Sequence, residues 1–157
     1  MAAAGRIERL WIGAQEWGLG RMDRLASRRG AATAPHLAVG LRGERAALFE
    51  LRRRGYVIVA QRWISAKVRG DVDLIAWHGD NLCFIEVKTR TARDMTPAET
   101  AVDEDKREMI RGLARAYIQT FPASERRNIA VRFDVVSVYA LGRATEFEVF
   151  AGAFAWR

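Results

Sequence analysis

The feature that most constrains this chain is a pair of neighbouring β-segments, Asp71 to Trp77 and Leu82 to Arg90, joined by His78-Gly79-Asp80-Asn81. The tetrad is a turn sequence and its flanks are rich in β-formers, so the segments predict an antiparallel hairpin. With the turn centred on Gly79-Asp80, Trp77 faces Leu82, Ile75 faces Phe84, Asp73 faces Glu86 and Asp71 faces Lys88. Strand side chains alternate between faces. Val72, Leu74, Ala76, Cys83, Ile85 and Val87 then share one wholly apolar face, while Asp71, Asp73, Glu86 and Lys88 project from the other. A slip of one residue would destroy this division, so the pattern itself supports the register.

The polar face carries a conflict. Directly opposed strand side chains have Cβ atoms about 5 Å apart, and like charges so placed repel. Asp73 against Glu86 therefore predicts either a protonated acid or a cation between them. Mg²⁺ suits such a place, because it takes hard oxygen ligands, commonly one or two carboxylates, and completes its shell with water and phosphate oxygens. Lys88, two residues beyond Glu86 on the same face, would add positive charge where a phosphate would sit. Metal, activated water and lysine together make a phosphodiester-hydrolysing set. The competing reading is an exposed hairpin face whose charges simply pair as Asp71–Lys88.

The rest of the chain supplies a domain around this hairpin. Leu41 to Arg54 predicts a helix closed by Gly55, and Tyr56 to Trp63 a strand. Thr96-Pro97-Ala98-Glu99 has the pattern of a capping box, which predicts a helix running to about Thr120 with a break near Asp103. Ile129 to Tyr139 and Glu146 to Phe150 are the last expected strands. The order α-β-β-β-α-β-β predicts an α/β (borderline α+β) domain, with one central mixed sheet flanked by helices. On the first helix, Glu44 shares an apolar stripe with Leu48 and Leu51. It sits either at the rim, favoured by the helix N-terminus, or reaches across the sheet as another acid of the same site. Lys106 lies on a stripe with Val102, Met109, Ile110, Leu113 and Tyr117, and is read as a lysine running its stem along the core to water.

Composition narrows the function classes. The chain has 26 basic and 19 acidic residues, a formal net charge of +7, which points to a polyanionic partner. Residues 1–35 contribute six arginines (Arg6, Arg9, Arg21, Arg24, Arg28, Arg29) against three acids and no sustained apolar period, and are read as a basic arm, poorly ordered or partly helical, preceding a domain over 36–157. One cysteine, Cys83, and two histidines exclude an internal disulfide and a thiolate zinc site. Cys83 is expected in the core, as are Trp63 and Trp77, whose other reading is stacking on nucleic-acid bases. The longest run free of Asp, Glu, Lys and Arg is Gly30 to Leu41, short of a membrane span. With no secretory pattern visible near Arg6, Glu8 and Arg9, the expectation is a cytoplasmic protein without membrane contact.

Gly70-Asp71-Val72-Asp73-Leu74-Ile75-Ala76 followed by Phe84-Ile85-Glu86-Val87-Lys88-Thr89-Arg90 resembles the PD-(D/E)XK nuclease signature. Together with Gly43-Glu44-Arg45-Ala46-Ala47, Gly55-Tyr56 and Arg132-Phe133-Asp134-Val135-Val136, it resembles more closely the YraN-like uncharacterised bacterial proteins, which are similar to archaeal Holliday junction resolvases. The resemblance implies a restriction-endonuclease-like fold and a Mg²⁺- or Mn²⁺-dependent DNA endonuclease, acting on branched DNA and working as a homodimer. It makes Asp73 and Glu86 metal ligands, Lys88 the catalytic lysine and Glu44 a helix-borne acid helping to hold metal or water. Asp71 stands where the family usually has Glu, a further metal-side acid shortened by one methylene. The rival expectations are a nucleic-acid-binding protein without activity on the same fold, and an adaptor using the arginine-rich arm for protein contacts.

Overall fold

The computed structural model describes residues 35–90, 102–141 and 144–156. Its elements are α1 (Pro35–Arg53), β1 (Val57–Ser65), β2 (Val68–His78), β3 (Asn81–Arg90), α2 (Glu104–Ile118), β4 (Ala130–Leu141) and β5 (Ala144–Phe154). The expected order α-β-β-β-α-β-β and the single mixed sheet are both found. The strands lie in the order β1-β2-β3-β4-β5. All neighbours are antiparallel except β3 and β4. That one parallel pair follows from the chain passing through α2 between them, since parallel strands need a long crossover.

Local chemistry sets the helix limits. α1 begins six residues before the expected Leu41, with Pro35 in the first turn, where a missing N–H is tolerated. It ends before Gly55, which takes φ +88°. The chain turns there by donating the Tyr56 N–H to the Leu51 carbonyl at 3.0 Å. α2 starts where Asp103 caps it, its carboxylate accepting the Lys106 N–H at 2.8 Å. The expected capping box at Thr96 to Glu99 lies outside the described residues, as does the arm through Ala34.

Each face of the sheet buries a core. Ala47, Leu48, Phe49 and Leu51 of α1 pack on Leu74, Ala76, Cys83, Ile85, Val87, Val136 and Val138. Ile110, Leu113 and Ala114 of α2 pack on Val72, Ile75, Leu82, Phe84, Phe133 and Val135 on the opposite face. Cys83 is fully buried. Trp63 and Trp77 pack, partly buried, against the α2 side, Trp63 meeting the Tyr117 ring edge-on at 5.1 Å, in line with the core-packing expectation. Arg111 is buried beneath the chain end, paired with Glu104 at 2.9 Å and Glu108 at 3.1 Å and donating to the Ala155 carbonyl at 3.1 Å.

The hairpin register is the expected one from His78↔Asn81 to Leu74↔Ile85, and there it stops. Asp73 and Asp71 are not ladder partners of Glu86 and Lys88, contrary to the expectation. Val72 also leaves the predicted apolar face and packs on the α2 side. The change of face coincides with Arg62 of β1, between the pairs Gln61↔Leu74 and Trp63↔Val72, whose φ of +47° interrupts the extended backbone beside Asp73. Among the described residues no helix is long and apolar enough to cross a membrane.

Candidate active site

Two glycines draw the helices onto this part of the sheet. A Cβ on Gly43 would overlap the Thr89 hydroxyl, so α1 can approach the end of β3 only because that position has no side chain. This places the next residue, Glu44, beside the hairpin. Gly70, at φ +104°, lies against Met109 of α2 in the same way and sets the course of Asp71.

Asp73 sits beside the Arg62 interruption itself. Its Oδ2 accepts the Val87 N–H at 2.7 Å, so a side-chain oxygen meets β3 where the ladder has ended. Burial, followed by the nearby Glu86 and Glu44 charges, pushes its carboxyl up to about 7, against the opposing pull of the Val87 N–H and Lys106. Glu44 is also raised, first by burial and then by Asp71 and Glu86, with Arg62 opposing. Glu44, Asp71, Asp73 and Glu86 therefore share one electrostatic neighbourhood. Glu44 is half-buried beside these acids, with Arg62 Nε 4.0 Å from its Oε2.

Three cations answer these acids. Glu86 is only 4 % exposed. Its Oε1 pairs with Lys88 Nζ at 2.9 Å and its Oε2 with Lys106 Nζ at 3.1 Å. The second contact is close in distance but poorly aimed, for Oε2 receives no hydrogen bond and remains a buried acceptor with spare capacity. Arg62 Nε stands 3.8 Å from Asp71 Oδ2 and 4.0 Å from Glu44 Oε2. The alternative pairing Asp71–Lys88 is thus not the one formed.

Lys106 corrects the sequence reading: its stem does run along the α2 stripe, but its ammonium ends on Glu86 and not simply in water. The signal was present as a cation on an apolar face. No sequence signal marked Arg62, because its role depends on a backbone conformation visible only in three dimensions. Among the described residues, no three or more His, Cys, Asp or Glu side chains gather tightly enough to cage a metal ion. The donor set would fit a more open arrangement: Asp73 and the under-satisfied Glu86 oxygen could offer two hard oxygen donors, the number Mg²⁺ commonly takes from protein.

The profile of the uncharacterised protein family UPF0102 matches residues 43–138, a span that contains Glu44, Arg62, Asp71, Asp73, Glu86, Lys88 and Lys106. The chain belongs to this family. A UPF0102 protein of Koribacter versatilis is 44 % identical over 119 residues, covering 76 % of this chain and 80 % of that protein. One from Solibacter usitatus is 40 % identical over 112 residues, covering 71 % and 82 %. One from Dictyoglomus thermophilum is 35 % identical over 119 residues, covering 74 % and 96 %. The expected kinship with this uncharacterised bacterial family is borne out. UPF0102 membership accounts for the shared domain and assigns it no activity.

Proposed function

We propose that this UPF0102 protein is a Mg²⁺- or Mn²⁺-dependent endonuclease hydrolysing phosphodiester bonds of DNA. The observation carrying this reading is the convergence of Asp73, Glu86 and Lys88 where the β2–β3 ladder opens. Asp73 and Glu86 would hold the cation, with Asp71 and Glu44 adding negative field around it. A divalent ion bound there supplies charge neutralisation at the phosphate and acidifies a water. Lys88 then turns from Glu86 to a non-bridging phosphate oxygen, where its charge counts most as the transition state gains charge. Glu44, whose proton affinity burial has raised, is suited to accept a proton from the attacking water. The net charge of +7 supports a polyanionic substrate. Likeness to PD-(D/E)XK nucleases supports the chemistry, and likeness to junction resolvases supports branched DNA as substrate.

Cleavage of linear duplex, single-stranded and four-way DNA with added Mg²⁺ or Mn²⁺ tests the reading. Asp73→Asn, Glu86→Gln and Lys88→Ala should each lower the rate by about 100-fold or more without loss of the folded state. Wild-type protein that cuts none of these substrates would sink it. A second reading, nucleic-acid binding without catalysis, is favoured by one observation: Lys88 and Lys106 already meet both Glu86 oxygens. It predicts binding without cutting, and no rise in melting temperature on adding the cation.

A further inference from the structure

The β1–β2 hairpin tip has the most exposed of the large apolar side chains among the described residues, Ile64, at 70 %. Ile64 pairs directly with Asp71 across the two strands, one of the four acids of the candidate site. Around it lie Arg62, Lys67 and Arg69, all exposed. Among the described residues no acid pairs with Lys67 or Arg69, whereas Arg62 leans on Asp71 and Glu44. Ile64 is thus an apolar point set among cations at the end of a hairpin.

The tip is held firmly. Ser65 pairs with Val68 across a two-residue turn, and the Ser65 hydroxyl accepts the Lys67 N–H at 3.2 Å. Val68 lies so near α2 that a Cβ on Gly112 would stand 3.4 Å from it, and Gly70 rests on Met109. A surface fixed in advance loses little freedom on binding. Two occupants suit an apolar point ringed by charge: a second copy of this chain or a nucleic acid. Pairing two copies about this tip would set the same three cations against themselves. A phosphate backbone complements them, and an apolar side chain among phosphate-binding cations is how proteins pry open a base step.

We infer that the β1–β2 hairpin is a wedge, with Ile64 entering a base step while Lys67 and Arg69 hold the flanking phosphates. This rests on the nuclease reading above and specifies its substrate: DNA whose stacking is already interrupted beside the phosphate to be cut. A branch point or nick spares the few kcal/mol of unstacking that intact duplex demands, so the wedge favours such substrates by position alone.

The experiment titrates the full-length chain, without divalent cation, into a four-way junction carrying 2-aminopurine at its branch point and into a linear duplex of the same sequence. Wild-type protein should bind the junction more tightly and raise the 2-aminopurine fluorescence. Ile64→Ala should lower junction affinity about tenfold and abolish the fluorescence rise, with duplex affinity within about twofold. Ile64→Leu should restore both. Lys67→Ala combined with Arg69→Ala should weaken both complexes and flatten the dependence of log K on log salt by about two. Unchanged junction binding and fluorescence in Ile64→Ala overturns the wedge and leaves the nuclease reading standing. If Ile64→Ala instead dissociates a dimer in sedimentation while DNA binding is unaltered, the tip joins two copies and the wedge is likewise overturned. A wild-type chain that binds no DNA removes the nuclease reading and the wedge with it.

Discussion

At the level of single residues, Asp73 is the chemical oddity. An ordinary aspartate titrates near 3.8, and this one is pushed up to about 7 by burial and by its acidic neighbours. Between pH 4 and 7 the folded chain therefore keeps a proton that the unfolded chain releases. Stability falls as pH rises through that window and levels off above it, by up to about 1.4 kcal/mol per pH unit. Asp73→Asn removes the penalty. Its Oδ1 can still accept the Val87 N–H, so it should melt above the wild type at pH 8 and with a flatter profile from pH 5 to 8. Thermal melts at both pH values check this, and a wild type whose stability climbs across the same range would contradict it. If Asp73 holds the proposed cation, the same competition with protons should let Mn²⁺ raise the wild-type melting temperature more at pH 8 than at pH 5. The conflict itself was readable from the sequence, because alternation alone put Asp73 and Glu86 on one face. What settles it was not readable: Lys106 and Arg62 reach the acids from α2 and β1, by contacts that no spacing within the hairpin encodes.

At the level of elements, strand pairing was legible wherever the pattern alternates and turns announce themselves. His78↔Asn81 to Leu74↔Ile85 follows directly from the turn and the apolar face. β5 was expected over five residues and extends from Ala144 to Phe154, because its far half pairs through an irregularity at Phe133/Val135 that leaves no clean alternation. Gly43 shows how packing overrides propensity. In a helix interior, Gly→Ala ordinarily stabilises by about 1 kcal/mol. Here the added methyl would run into Thr89, so Gly43→Ala should destabilise by about 1–3 kcal/mol and push Glu44 away from the acids. Thr89→Ala clears the hydroxyl and one methyl, so the double variant should recover part of that loss. Melting the four members of the cycle gives the coupling, and additive effects would show that α1 does not depend on this approach.

Across the whole molecule, β3 and β4 connect two polar networks that serve opposite purposes. Opposite Ile85 in the middle of β3, fully buried Asp134 accepts from Arg132 Nε at 2.8 Å and Nη2 at 2.9 Å, from the Tyr56 hydroxyl at 3.1 Å and from the Gly152 N–H at 2.9 Å. The donors come from β4 itself, from the residue after the α1 turn and from β5, so this network ties α1's end, β4 and β5 together. One register position on, at the pair Glu86↔Val135, Glu86 and Asp73 crowd like charges and leave an acceptor unmet, which costs stability. The two should separate experimentally. Asp134→Ala orphans a guanidinium and two further donors and should cost about 3–5 kcal/mol, a large part of the 5–15 kcal/mol typical of a domain. What remains folded should still gain melting temperature from Mn²⁺. Glu86→Gln should melt close to the wild type, because Lys88 and Lys106 are both partly open to water, yet lose the Mn²⁺ response. If Asp134→Ala were the variant that lost it, the cation would belong to the network around Asp134 and the acids beside Arg62 would need another explanation.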